Sequence, residues 1–122
     1  MSETVFEQQA NFMLAKGQSV DFPNGDQTSL CADQMAENVT QTFDAWNAAV
    51  VGITSDDFDP VVSVAAVGVK VVETMRACIE VLFSLGIDAQ AAWDEVHQSH
   101  MTNASPDFEK VVSRSWNVEE AA

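Results

Sequence analysis

The run VSVAAVGVKVVETMRACIEVLFSLGID, from Val62 to Asp88, is apolar except for a few polar side chains, above all Lys70, Glu73, Arg76 and Glu80. Charged groups inside such a run can pair with one another, hold a metal ion or hold a polar ligand. On a helix, setting Lys70 at zero puts Glu73 near about −60°, Glu80 near about −80° and Arg76 near about −120°. The four charges therefore share an arc of about 120°, with Ser63, Thr74 and Ser84 within or beside it. A second stretch supplies a matching arc. With Glu37 at zero, Asp33, Gln34, Gln41 and Asp44 fall between about −40° and about +60°, and Asn38 borders them at about 100°. Polar arcs around carboxylates, in helices that are otherwise apolar, are how metal sites inside helix bundles are built. Solvated helix edges laced by Glu73, Arg76 and Glu80 at i+3 and i+4 give the same pattern, so both readings stand. Asp94, His97 and His100, at successive i, i+3 positions, raise a separate metal site as an alternative to ordinary helix histidines.

The elements that carry these residues are legible from their ends. Thr4 followed by Glu7 is a capping-box pair and Gly17 suits a C-terminal cap, framing a first helix over about 4–16 with Phe6, Ala10, Met13 and Leu14 on one face. DFPNGD, Asp21 to Asp26, is turn chemistry. A second helix is predicted from about Ser29 to Val51, stopping at Gly52. Asp59-Pro60 is an N-cap acceptor followed by proline at the first helical position, starting a third helix that Gly86 ends. Asp88 caps a fourth, over about 89–102, expected to turn Trp93 and Val96 inward. Trp46 and Trp93 read as core aromatics. The segment from Asn103 is polar and reads as irregular, with a short helical turn near 107–112. No strand-like alternation competes, so the expected class is all-α, a four-helix-bundle-like domain over 1–103 followed by a polar tail over 104–122.

Composition narrows the function classes. Nineteen acidic residues face only five basic ones in a chain of 122, for a net charge of −14. Binding to nucleic acid by phosphate neutralisation needs clustered Lys or Arg, which this chain lacks, and the same charge disfavours anionic membranes. Four charges inside the third helix, each costing at least about 2.5 kcal/mol in lipid, also exclude it as a membrane span. No basic segment leads into an apolar one at the start, so we expect no signal peptide, a cytoplasmic protein, and two buried reduced thiols at Cys31 and Cys78. The third helix is apolar over about 240° of its circumference, more than one short chain covers, and this predicts a homo-oligomer, with Val64, Val71, Cys78 and Leu82 among the buried residues.

Four segments in order, NFMLAKGQSVDFP, ADQMAENVTQTFDAW, the apolar helix ending SLGID, and AAWDEVHQSHMTN, resemble MazG-like all-α nucleoside triphosphate pyrophosphohydrolases. The nearest likeness is to the small phage and bacterial proteins related to phosphoribosyl-ATP pyrophosphohydrolase. It spans about residues 8–103, and its most specific piece is GID…WDEVHQSHM. The resemblance implies a MazG-type fold completed by oligomerisation into a dimer or tetramer. It also implies cleavage of a nucleotide between its α and β phosphates, with Mg²⁺ held by an E-E-x-x-E motif on one helix and E-x-x-D on the next. Hard Mg²⁺ takes oxygen ligands, neutralises the triphosphate and polarises the attacking water.

The chain departs from the family at those positions. Glu37, Asn38 and Gln41 stand where three glutamates would, and Lys70 and Glu73 stand at E-x-x-D. His100 and Asn103 replace the asparagine and lysine of the family's S-N-M-x-K. The resemblance thus leaves Glu37 and Glu73 as catalytic and metal-ligating candidates, and Asn38, Gln41, Lys70, His97 and His100 as substrate-binding candidates. An ammonium in a metal site repels the cation, so Lys70 is expected to pair with Glu37 and Glu73 and close the seam, with catalysis impaired or lost. The functional reading is a degenerate MazG-like nucleotide-binding protein. The alternatives are an active Mg²⁺-dependent enzyme with a pared-down site, and an acidic interaction or inhibitor protein that engages a basic partner.

Overall fold

The computed structural model describes residues 3–52 and 59–118. The protein is all-α. Its helices are α1 (Val5–Ala15), α2 (Gly25–Gly52), α3 (Pro60–Ser84), α4 (Ala89–Thr102) and α5 (Phe108–Ser115). Among the described residues the only bridge of β type is a single pairing of Pro23 with Leu85.

Local chemistry sets the helix ends. Thr4 Oγ1 accepts from Glu7 N–H at 3.1 Å, and Asp59 Oδ1 accepts from Val61 and Val62 at 3.0 and 3.3 Å ahead of Pro60. Asp88 and Asp107 cap α4 and α5 in the same way, through Ala91 and Lys110. Each accepted bond satisfies an amide that the first helical turn leaves without a partner. The second helix starts earlier than Ser29, because Asn24 Oδ1 accepts from Gln27 N–H at 3.0 Å and so caps a helix beginning at Gly25. Gln27 then pins the preceding loop, accepting from Ser19 N–H and donating to Ser19 O, both at 2.8 Å.

α2 and α3 form a long antiparallel hairpin. Asn24 N–H donates to Ser84 O at one end, and Thr42 Oγ1 meets Lys70 O at 3.1 Å and Thr74 Oγ1 at 2.9 Å further along. The hairpin's open end is held by a close crossing. Gly86, at φ +73°, lies so near the Phe22–Pro23 backbone that a Cβ there would sit 2.8–2.9 Å from it. Only glycine satisfies both the left-handed turn and the approach.

The other helices gather round that same end. Met13, Phe83 and Ala89 form one buried cluster with Phe6, Ala10 and Ile79 packed against it. Ile87, Ala92 and Val111 form a second. The helical turn expected near 107–112 is α5, and residues 108–116 pack on the rest of the chain rather than trailing off. Val111 of α5 is buried, Trp116 Nε1 donates to Leu85 O at 2.8 Å, and Lys110 pairs with Glu95 at 3.0 Å.

Several side chains expected inside are outside. Trp93 is 60% exposed, touching Phe6 at a centroid distance of 6.3 Å, and Val96, Leu14 and Trp46 are exposed as well. Val64, Val71 and Cys78 are exposed and Leu82 is half-buried. The α3 residues among these share a reason: along most of its length α3 is packed only by α2, and α1 and α4 meet it only toward its C-terminal end.

Candidate functional site

The polar seam is present, and it is narrower than its sequence suggests. Gln41 Nε2 donates to Glu37 Oε1 at 3.2 Å, one turn apart on α2. Gln41 Oε1 accepts from Lys70 Nζ at 3.1 Å across the hairpin, and Lys70 Nζ reaches Glu73 Oε2 at 3.5 Å. The result is a chain of contacts, Glu37–Gln41–Lys70–Glu73. The expected direct pairing of Lys70 with both carboxylates is therefore half met: Glu73 is a direct partner, and Glu37 is reached through the Gln41 amide. Lys70 and Glu73 keep 35% and 45% of their side-chain surface in water, so the pair is a surface one and contributes at most about 1 kcal/mol.

Asn38 is elsewhere. It is only 6% exposed, is directed into the α2–α3 interface, and accepts from Gln34 Nε2 at 3.4 Å. One residue is about 100° of helix, which separates Asn38 from Glu37 despite their adjacency in sequence. His97 and His100 are exposed on α4, which packs on α3 and α5 rather than on α2. Asp94 accepts from Gln90 within its own helix at 3.0 Å. Among the described residues no three His, Cys, Asp or Glu side chains converge as a metal-holding group. The seam's own donor set does not fit Mg²⁺ as arranged, because the Lys70 ammonium already occupies the amide and carboxylate oxygens that a cation would take.

The arrangement that sequence reasoning missed lies one turn along α3. Gln9, 3% exposed on α1, donates from Nε2 to Glu80 Oε1 at 2.8 Å and accepts at Oε1 from Arg76 Nε at 2.8 Å. The anticipated in-helix ladder of Glu73, Arg76 and Glu80 does not form among the described residues; the last two share a buried amide on another helix. The signal was available. Gln9 sits at i+3 from Phe6 and i−4 from Met13, a polar residue at a core position of an apolar stripe. The Arg76 guanidinium carbon also lies 4.8 Å from the centre of the Phe12 ring, and Lys16 Nζ lies 5.0 Å from it.

Cys31 of α2 is buried beside this junction. Burial pushes its thiol above the ordinary range, the Glu80 charge adds to this, and a hydrogen bond with Ser84 and the Lys16 charge act the other way. Both cysteines are free, as expected, but only Cys31 is buried.

Two cavities lie away from the seam. One, of about 580 Å³, is an almost wholly apolar groove between α1, α3 and α4, lined by Phe6, Met75, Cys78, Leu82, Trp93 and Phe108 among others. The other, of about 450 Å³, is more polar and lies between the start of α1, the α3–α4 turn and Arg114. No described helix is long and apolar enough to cross a membrane. Compared with protein-family models and with curated protein sequences, the chain matches none.

Proposed function

We propose that this chain is a MazG-like nucleotide-binding protein in which a lysine stands in for the metal, so that pyrophosphohydrolase activity is impaired or lost. The observation that supports it is the Lys70 Nζ contact with Gln41 and Glu73, at two of the positions where the resemblance calls for Mg²⁺ ligands. Mg²⁺, where it binds such a seam, neutralises phosphate and activates water. Here Gln41 and Glu73 hold a tethered ammonium instead, with Glu37 reaching it only through the Gln41 amide. Lys70 and Arg76 sit where helices meet in an otherwise acidic chain, Lys16 lies over the same Phe12 ring as Arg76, and Arg114 lines the more polar cavity, so cations are at hand for an anionic phosphate. The role belongs to a homo-oligomer, a dimer or tetramer, in the cytoplasm.

The test is calorimetric titration with a panel of ribo- and deoxynucleoside triphosphates beside a pyrophosphate-release assay, each with Mg²⁺ and Mn²⁺. Binding without release, weakened by Lys70→Ala, is expected. Release that Glu37→Gln abolishes would establish an active enzyme and end the degenerate reading. The net charge of −14 favours a second reading, an acidic surface engaging a basic protein partner. No nucleotide binding, together with capture of a basic protein that is lost at high salt, would favour it.

A further inference from the structure

Lys70 and Lys110 pair with carboxylates, Glu73 and Glu95. Lys16 and Arg76 do not: among the described residues neither forms an ion pair, in a chain with nineteen acidic groups. Both converge instead on one aromatic ring. Lys16 Nζ lies 5.0 Å and the Arg76 guanidinium carbon 4.8 Å from the centre of the Phe12 ring, so the two cations are at most about 10 Å apart. Phe12 is 42% exposed and both cations are exposed, so solutes reach the whole group.

Two like charges brought together repel, and pairing with a spare carboxylate is the ordinary relief. The carboxylates one turn away on α3 are engaged elsewhere: Glu80 accepts from Gln9 Nε2 at 2.8 Å, and Glu73 meets Lys70. Gln9 also fixes how the guanidinium presents itself. Its Oε1 accepts from Arg76 Nε at 2.8 Å, which leaves the two terminal nitrogens as a fork with no hydrogen-bond acceptor among the described residues. The ring and the amide together hold that fork in place before any ligand arrives, which lowers the ordering cost of binding. The net charge of −14 opposes an anion mainly at long range, where physiological salt screens charges beyond about 8 Å.

We infer that Lys16 and Arg76, set on the Phe12 ring at the α1–α3 junction, form a seat for two linked phosphate groups. Resting on the nucleotide-binding reading for what carries those groups, the seat takes the polyphosphate end of the ligand and needs no metal. A planar guanidinium fork matches two phosphate oxygens, and an ammonium takes a third as a point charge. Bonds of about 2.8 Å from each cation leave a gap that a diphosphate spans. A single carboxylate brings one charge to two cations and is the poorer match. The seat is separate from the Glu37–Gln41–Lys70–Glu73 seam. Arg76 follows Lys70 on α3 by about 9 Å of helical rise and about 120° of phase.

Calorimetric titration of the full chain with inorganic pyrophosphate, in chelator and without added metal, tests this on the natural chain, Arg76→Gln, Lys16→Gln and Lys110→Gln. The expected result is saturable binding that weakens at least about tenfold in the first two variants and holds in Lys110→Gln, which removes the same charge on α5. No pyrophosphate binding, or an equal loss in all three variants, would overturn the seat. So would citrate binding as tightly as pyrophosphate. Nucleoside triphosphates separate the seat from the reading it rests on. Binding that Lys70→Ala weakens and that ignores Arg76→Gln and Lys16→Gln would overturn the seat and leave nucleotide binding standing. Pyrophosphate held at the seat, with no nucleoside triphosphate bound, would leave the seat standing and end nucleotide binding. Should Arg76→Gln unfold, the natural chain decides. Labelling of Arg76 by phenylglyoxal, resolved from Arg114 by peptide mass, is expected to slow as pyrophosphate saturates. An unchanged rate would overturn the proposal.

Discussion

Gln9 on α1 and Arg76 on α3 are joined by a hydrogen bond of 2.8 Å, from Arg76 Nε to the amide oxygen, while the same amide donates to Glu80. One buried side chain thus uses both ends of its amide to bridge a cation and an anion one turn apart. Gln9→Ala removes both bonds and the volume. Because Arg76 is exposed and Glu80 half-buried, each can turn partly to water, so the expected loss is about 1–2 kcal/mol in urea unfolding rather than the larger cost of a stranded buried charge. A loss below a few tenths would show that α1 is held by its apolar contacts alone.

Lys70→Glu replaces the tethered cation with a carboxylate one turn from Glu73. The variant is expected to acquire Mg²⁺-dependent stability that the natural chain lacks, about 1.4 kcal/mol at ten times the dissociation constant, or some 4 °C or more in Tm. Thermal melts with and without millimolar Mg²⁺ check this. Equal shifts for both proteins would mean that Lys70 is not what keeps a metal out of the seam.

Two glycines in left-handed conformation separate backbone strain from steric contact. A Cβ on Gly17, φ +78°, meets nothing within 4 Å, so Gly17→Ala is expected to cost only the conformational penalty of about 1 kcal/mol. Gly86→Ala adds to that penalty a collision with the Phe22–Pro23 backbone, which cannot rotate away, and is expected to cost at least about 2 kcal/mol. Chemical denaturation of the pair reads the difference, and equal losses would mean that the loop at Phe22 yields freely.

Glu95 links α4 to α5. The Lys110 hydrogen bond, followed by that from Asp107 N–H, holds its carboxyl below the ordinary glutamate range. Its folded pKa lies below its unfolded one. Its contribution to stability is therefore present above the unfolded value and is lost as pH falls through the folded one. The stability gap between the natural chain and Glu95→Gln should close as pH drops below the glutamate range, measured by urea unfolding across an acid series. A gap that stays constant would locate the effect in packing.

The sequence determined its helices, because their signals are local. A capping carboxylate or hydroxyl at Thr4, Asp59 and Asp88 and a left-handed Gly17 or Gly86 act within a few residues, and the ends of α1, α3 and α4 fall close to where those signals put them. The start of α2 slipped, because Asn24-Gly25 serves equally as a turn and as a cap. Helical phase also put Glu37 with Gln41 on one arc of α2 and Lys70 with Glu73 on one arc of α3. What tertiary structure alone decided was which helix meets which. Arg76 and Glu80 read as partners of their own helix until α1 delivered Gln9 between them. Asn38 read as a neighbour of Glu37 until the α2–α3 crossing took it inward. Val64 and Trp93 read as core because hydrophobicity records a preference for leaving water, while burial depends on a neighbour that the described residues do not supply at those positions.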